Sequence, residues 1–212
     1  MSLDRERLII FTRYPQAGKT KTRMIPLLGA QGAAQLQRQM TENTLKMAQS
    51  VQLHRDLSLK VYFTGGSLTL MQEWLGEDLS YSPQSQGDLG ERLQSALLDS
   101  YTQGMTKVVF IGIDCPDLTS AIVNQAFESL ETTDVVIGPA VDGGYYLIGI
   151  KGNFPALFQG INWGTEVVFK QTQTIAAQLN LQASYLPILA DIDRPEDLLF
   201  SDKNLKFWYK KI

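Results

Sequence analysis

The stretch 107–118, KVVFIGIDCPDL, decides how this chain folds. Its first seven residues are almost wholly apolar and rich in β-branched side chains. A strand with one wet face would alternate, so an unbroken run marks a strand covered on both faces of a parallel sheet. The run ends at Asp114. In open parallel sheets, ligands sit beyond the carboxyl ends of the strands, so the residues after each strand are the candidates for chemistry.

Similar runs lie on either side. Residues 8–11, 59–64 (LKVYFT), 135–138, 145–150 (YYLIGI) and 183–187 read as strands. Between them, 31–50, 67–75 and 88–103 read as helices, as do a segment from Thr119 or Ser120 to about residue 130 and another from 163–165 to about 179. A last helix opens at Pro195 and runs to 199, with proline at a first-turn position. Strand–helix alternation at this spacing predicts an α/β, Rossmann-like three-layer sandwich: a mostly parallel central sheet with helices on both faces. At 212 residues the expectation is one domain, 1–212.

Composition narrows the function. Lys and Arg number 19 against 22 Asp and Glu, a net charge of −3, which disfavours generic nucleic-acid binding. One cysteine, Cys115, and one histidine, His54, exclude a disulfide framework, a zinc finger or an iron–sulfur site built from this chain alone. They also leave a Ser-His-Asp triad a single candidate base. The apolar run at 8–11 is too short for a signal peptide or a membrane span, so the expectation is a cytoplasmic protein with no membrane partner.

Three strand ends carry chemistry. The first is Thr12-Arg13-Tyr14-Pro15-Gln16-Ala17-Gly18-Lys19-Thr20-Lys21-Thr22-Arg23, with four cations beside a glycine and several hydroxyls in a net acidic chain. Arginine binds phosphate oxygens bidentately, lysine as a point charge, and backbone amides near a glycine approach closely. The first glycine of a Walker A loop is absent. The second is Asp114, where a buried strand emerges; a carboxylate there can hold Mg²⁺ bridging substrate phosphates. Asp117 is explained by the helix start that follows, and Cys115 by packing. The third is Asp142-Gly143-Gly144, readable either as a turn or as a loop wrapping substrate. Arg92, after the Gly87-Asp88 helix start, can reach a phosphate. Trp163-Gly164-Thr165 reads as a helix start capped by Thr165, or as a lid contact. Asp191 and Asp193 are alternate residues that face one way if that stretch is extended, and with Asp114 they can complete a divalent-metal site.

Read in order, R-x-P-x-x-G-K-x-K-T-R (13–23), G-D-L-G-E-R (87–92), G-x-D-C-P-D-L (112–118), D-G-G-Y-Y-L-I-G (142–149), W-G-T (163–165) and D-I-D-x-P-E-D-L (191–198) resemble the bacterial glycosyltransferase-like family related to phospholactate guanylyltransferase. The resemblance implies a nucleotide-diphospho-sugar transferase (GT-A-type) fold and a nucleotide-dependent transferase using Mg²⁺ or Mn²⁺. It also implies phosphate contact by Lys21, Thr22 and Arg23, and metal binding by Asp114 and Asp193. Arg13 stands where lysine is more usual and Arg194 where threonine is commoner.

The expected reaction is nucleotidyl transfer from an NTP to a phosphorylated or anionic small-molecule acceptor, with positioning and charge neutralisation dominating. Lys21, Arg23 and Asp114 are the expected catalytic residues. Arg13, Gly18, Lys19, Thr22 and Arg92 join Lys21 and Arg23 in binding phosphate, and Asp142, Gly143, Gly144, Trp163 and Thr165 bind substrate. Glycosyl transfer from a nucleotide-sugar and a non-catalytic nucleotide-binding module are the alternatives. Acceptor identity, base preference and pairing into a homodimer stay open.

Overall fold

The computed structural model describes residues 5–197. Seven strands form one sheet: β1 (Glu6–Arg13), β2 (Leu57–Thr64), β3 (Ser80–Pro83), β4 (Lys107–Ile111), β5 (Val135–Pro139), β6 (Tyr145–Lys151) and β7 (Ala183–Tyr185). Their spatial order is β3-β2-β1-β4-β6-β5-β7. Every neighbouring pair is parallel except those of β6, which runs antiparallel to both β4 and β5. Helices α1 (Ile25–Gln52), α2 (Leu68–Leu75), α3 (Leu89–Thr102), α4 (Ser120–Ser129) and α5 (Val168–Gln178) complete the framework.

The three-layer sandwich follows from the strand pattern. Leu8, Ile10, Val109 and Ile111 point to the face covered by α1, α2 and α4, where Phe127 and Met71 are fully buried. Ile9, Val108 and Phe110 point to the opposite face, packed by Leu93, Ala96 and Leu97 of α3 and Ala176 of α5. Period-2 alternation on strands buried on both sides is why β1 and β4 read as continuous apolar runs. No helix among the described residues is long and apolar enough to cross a membrane.

Local signals set the helix starts. Ser67 accepts a hydrogen bond from the Leu70 amide at the head of α2. Asp88 and Glu91 form a reciprocal capping box on α3, and Thr119 caps α4. Gly29, at φ +68°, breaks the first turn of α1 from the rest, so the continuous helix begins close to the expected residue 31. Thr165 does not cap α5: the helix opens at Val168 with no side-chain cap, and the Thr165 hydroxyl donates to the Asn162 carbonyl. Sequence reading passed over β3, a four-residue polar edge strand. The helix expected at 195–199 runs beyond the described residues.

Candidate functional site

The chain leaves β1 toward β2 and β3 on one side and returns to place β4 on the other. The crevice between the ends of β1 and β4 is therefore the point where strand order reverses. From the β1 side comes the basic loop. The Arg13 guanidinium donates to the Lys19 carbonyl (2.9 Å) and to Thr64 Oγ1 (3.2 Å), which ties the loop to the end of β2. The Thr20 hydroxyl donates to the Gln16 carbonyl, and Gln37 of α1 donates to the Arg13 carbonyl. Gly18, at φ +76°, supplies the turn. A cavity of about 350 Å³ lies beneath, within the range of small-molecule sites, and Arg13, Lys19, Lys21, Thr22, Arg23 and Asp114 line it.

From the β4 side comes Asp114, and across it runs the segment after β7. This strap is fixed by backbone bonds: Leu189 donates to the Pro139 carbonyl at 3.2 Å and Ile192 to the Asp114 carbonyl at 2.8 Å. Ile192 is buried inward, so the flanking Asp191 and Asp193 both turn toward solvent and the crevice. Lys21 closes the arrangement. Its Nζ lies 2.7 Å from Asp114 Oδ1 and 3.9 Å from Asp193 Oδ1, and it donates to the Ile192 carbonyl. Arg23 pairs with the other oxygen of Asp193. The cationic loop and the two aspartates expected to meet therefore do meet.

A second cavity adjoins the first and shares Asp114 and Leu89 with it. Tyr145, Trp163 and Thr165 form its walls, and Asp142 and Asp191 add carboxylates. The Tyr145 and Trp163 rings meet edge to face, 6.2 Å apart. Gly90, in the first turn of α3, lets Trp163 approach: a Cβ there would lie 2.7 Å from the indole nitrogen. Burial, reinforced by Asp142, holds the Asp191 carboxyl above the usual carboxylate range, with smaller pushes from Asp197 and Asp114.

Other candidates divide. Gly143, at φ +86°, is required by close approach, since a Cβ would sit 2.1 Å from the Glu166 carbonyl oxygen. Its amide donates to Ala140 and that of Gly144 to Asp142 Oδ1, so both are used inside the loop. Arg92 donates to the Gly87 carbonyl and is not among the residues lining either cavity. Cys115 is buried, and its thiol is pushed up by burial and then by the carboxylates of Asp191, Asp114 and Asp142. That fits packing rather than nucleophilic chemistry. His54 is exposed after α1.

Sequence reasoning missed Gln84, Leu89 and Tyr145. Gln84 follows β3 and donates to the carbonyls of Tyr62 (3.1 Å) and Thr12 (3.3 Å) at the cavity floor, so losing β3 lost it too. Leu89 and Tyr145 carry no signal that separates a cavity wall from core. Among the described residues, no three His, Cys, Asp or Glu side chains are grouped tightly enough to enclose a metal by themselves. Asp114 and Asp193 already share one cation, the Lys21 ammonium. This shows that their hard oxygens converge on a positive charge, and Mg²⁺ commonly uses one or two carboxylates with substrate phosphates and water.

No curated protein sequence matches the chain. A sequence profile described as "Uncharacterized protein conserved in bacteria (DUF2064)" matches residues 44–165. Among solved structures, a protein of Desulfovibrio desulfuricans G20, provisionally described as a nucleotide-diphospho-sugar transferase, superimposes with a TM-score of 0.87 at 32% identity, covering 97% of this chain and 90% of that one. A nucleotidyl transferase from Methanothermobacter gives 0.65 at 14% identity, covering 97% and 100%. The manganese complex of Rv0371c from Mycobacterium tuberculosis H37Rv gives 0.58 at 14%, covering 92% and 97%. The last two share the fold. The profile match over more than half the chain, and a relative alike along nearly all of it, establish that the chain belongs to the bacterial DUF2064 family.

Proposed function

We propose that the chain is a metal-dependent, nucleotide-using transferase that moves a nucleotidyl group from an NTP to a small-molecule acceptor. One observation carries this reading: exposed cations and two converging aspartates line one cavity at the strand-order switch point. Arg13, Lys19 and Arg23 present free faces to that cavity and hold the triphosphate, with Thr22 beside them. The acceptor occupies the aromatic cavity, against Tyr145, Trp163 and Thr165. Its oxygen attacks the α-phosphorus, the α–β phosphoanhydride bond breaks, and pyrophosphate leaves with that electron pair. Cations fixed around the departing group stabilise the charge that develops on it.

Asp114 and Asp193 would hold Mg²⁺ or Mn²⁺, which when bound supplies Lewis-acid neutralisation of the phosphate oxygens. A crystal structure of the same fold in complex with manganese supports Mn²⁺ as the first ion to try. The carboxylates of Asp142 and Asp191 in the second cavity bear on the acceptor. An anionic or phosphorylated acceptor fits with its charge turned toward the cationic loop and its uncharged hydroxyl-bearing part against the rings.

Glycosyl transfer is the second reading, supported by the description of the Desulfovibrio relative. Incubation with each NTP and with UDP- and GDP-sugars, plus Mg²⁺ or Mn²⁺, separates the two. Pyrophosphate release from an NTP is expected. Release of a nucleoside diphosphate from a nucleotide-sugar instead replaces the first reading with the second. Tight nucleotide binding without metal dependence or turnover leaves a non-catalytic module.

A further inference from the structure

Lys21 differs from the other cations of its loop. Arg13, Lys19 and Arg23 are exposed, whereas the Lys21 side chain is only 4% accessible. Its ammonium is committed to Asp114, to the Ile192 carbonyl and, at longer range, to Asp193. An ammonium has three donors and no acceptor, so little capacity is left for a phosphate. The backbone bears a cost for this placement: Lys21 sits at φ 45°, ψ 45°, a left-handed conformation that lysine adopts reluctantly. Asparagine or glycine would make that turn more cheaply, so the turn alone does not call for lysine.

The charges around it nearly cancel. Asp114 and Asp193 bring two negative charges, and Lys21 and Arg23 two positive. Without a nucleotide, an approaching divalent ion therefore meets a neutral quartet and gains little Coulomb energy. A triphosphate changes this in two ways. It adds negative charge, and it draws off Arg23, whose side chain is 59% exposed and able to swing. Lys21 is too deep to leave.

We infer that Lys21 is the resident counter-ion of the Asp114–Asp193 pair, a positioning residue rather than a phosphate contact, and that it keeps the site closed to a divalent ion until a nucleotide arrives. This rests on the metal-dependent reading above.

The test measures Mn²⁺ binding to the full chain without nucleotide, by the electron paramagnetic resonance signal of free Mn²⁺. Removing the buried charge in Lys21→Met is expected to tighten Mn²⁺ binding about tenfold or more. A residue that merely braced the strap would do the reverse, because losing it would scatter the carboxylates. Arg23→Gln makes the same charge change at an exposed position and is expected to tighten Mn²⁺ about threefold, whether or not the Lys21 variant folds. Equal or weaker Mn²⁺ binding in a folded Lys21→Met protein overturns the counter-ion role, and so does equal or weaker binding in Arg23→Gln if the Lys21 variant does not fold. If the wild-type chain binds no nucleotide, with Mn²⁺ or without, the transferase reading falls instead, and the Mn²⁺ comparison still decides what Lys21 does.

Discussion

The strands β1 and β4 carry ion clusters at both ends, each pairing two carboxylates with a lysine and an arginine and put to opposite uses. At their amino ends, Glu6 accepts from the Arg55 guanidinium and lies 3.9 Å from Lys107 Nζ, and Lys107 pairs in turn with Glu131. Glu6 is 7% exposed and Lys107 fully buried. At their carboxyl ends, Asp114 and Asp193 surround Lys21, but their side chains remain 48% and 35% exposed and face a cavity. The first cluster is closed at its centre: Glu6 faces cations from β4 and from the turn after α1, and Glu131 forms an exposed rim. The second is open, with carboxylate oxygens left over. A buried pair of either kind is weak evidence for stability, because desolvation offsets the Coulomb gain. The useful signal is the leftover capacity.

The comparison breaks most visibly at Asp114. Asp114→Asn is expected to lower turnover by about two to three orders of magnitude while the protein still melts cooperatively. The assay is pyrophosphate release at saturating NTP. The matching change at the other end, Glu6→Gln, is expected to leave that rate unchanged and to destabilise the fold by about 3 kcal/mol, since it strands Arg55 and weakens the cover on Lys107. A urea midpoint that falls without a change in slope would register this. If Glu6→Gln lost activity with its stability intact, the division between the two ends would be wrong.

A smaller effect sharpens the boundary of the open site. In Gly90→Ala the new Cβ would meet the Phe158 carbonyl oxygen at 2.5 Å and the Trp163 indole nitrogen at 2.7 Å. Backbone on one side cannot yield, so Trp163 or the start of α3 must shift. The expected cost is about 1–3 kcal/mol of stability. KM for the acceptor should rise while KM for the nucleotide holds, because Trp163 walls only the second cavity. Equal changes in both would place the aromatic wall on the nucleotide.

How far the sequence carries this picture depends on where the signal lies. The buried strands are legible because a short, unbroken apolar run between polar loops must be covered on both sides to leave water. The helix starts at Asp88 and Thr119 are legible because capping is local chemistry. The direction of β6 is implied by length: five residues, 140–144, separate it from β5, too few for a parallel crossover, so its partner there is antiparallel. β3 leaves no trace, since an edge strand reading Ser-Tyr-Ser-Pro looks like a loop. In the site, Asp114, Asp193 and the basic loop stand out because they follow strands. The burial of Lys21 does not, since its partners come from 93 and 172 positions further along the chain. No spacing in the loop itself distinguishes a lysine that reaches solvent from one that turns inward to a carboxylate.

The two kinds of cluster should also answer acid differently. Asp99 of α3 is 38% exposed but fully partnered, tied to the Lys60 ammonium at 2.8 Å. Burial pushes its carboxyl up, but hydrogen bonds from Lys60 and Tyr62 and the Lys60 charge outweigh it, and the group sits below its ordinary value of 3.8. Such a carboxylate stabilises the fold above its ordinary value and loses that contribution as pH falls through its lowered one. Asp191 is the reverse. Held above 3.8 by burial and by Asp142, it costs the fold nothing below that value, begins to cost as pH rises through it, and costs fully once ionised in the native state. Asp99→Asn should therefore lower the melting temperature at pH 7, and Asp191→Asn should raise it by about 1–2 °C. The Asp191 difference should close by about pH 4, whereas the Asp99 difference should only begin to shrink there and close further down, below its lowered value. Melting curves in EDTA across that range check the pair. An Asp191→Asn protein that melts lower than wild type at pH 7 would mean that this carboxylate already has a partner in the fold, and that the open end of the sheet is less open than its geometry says.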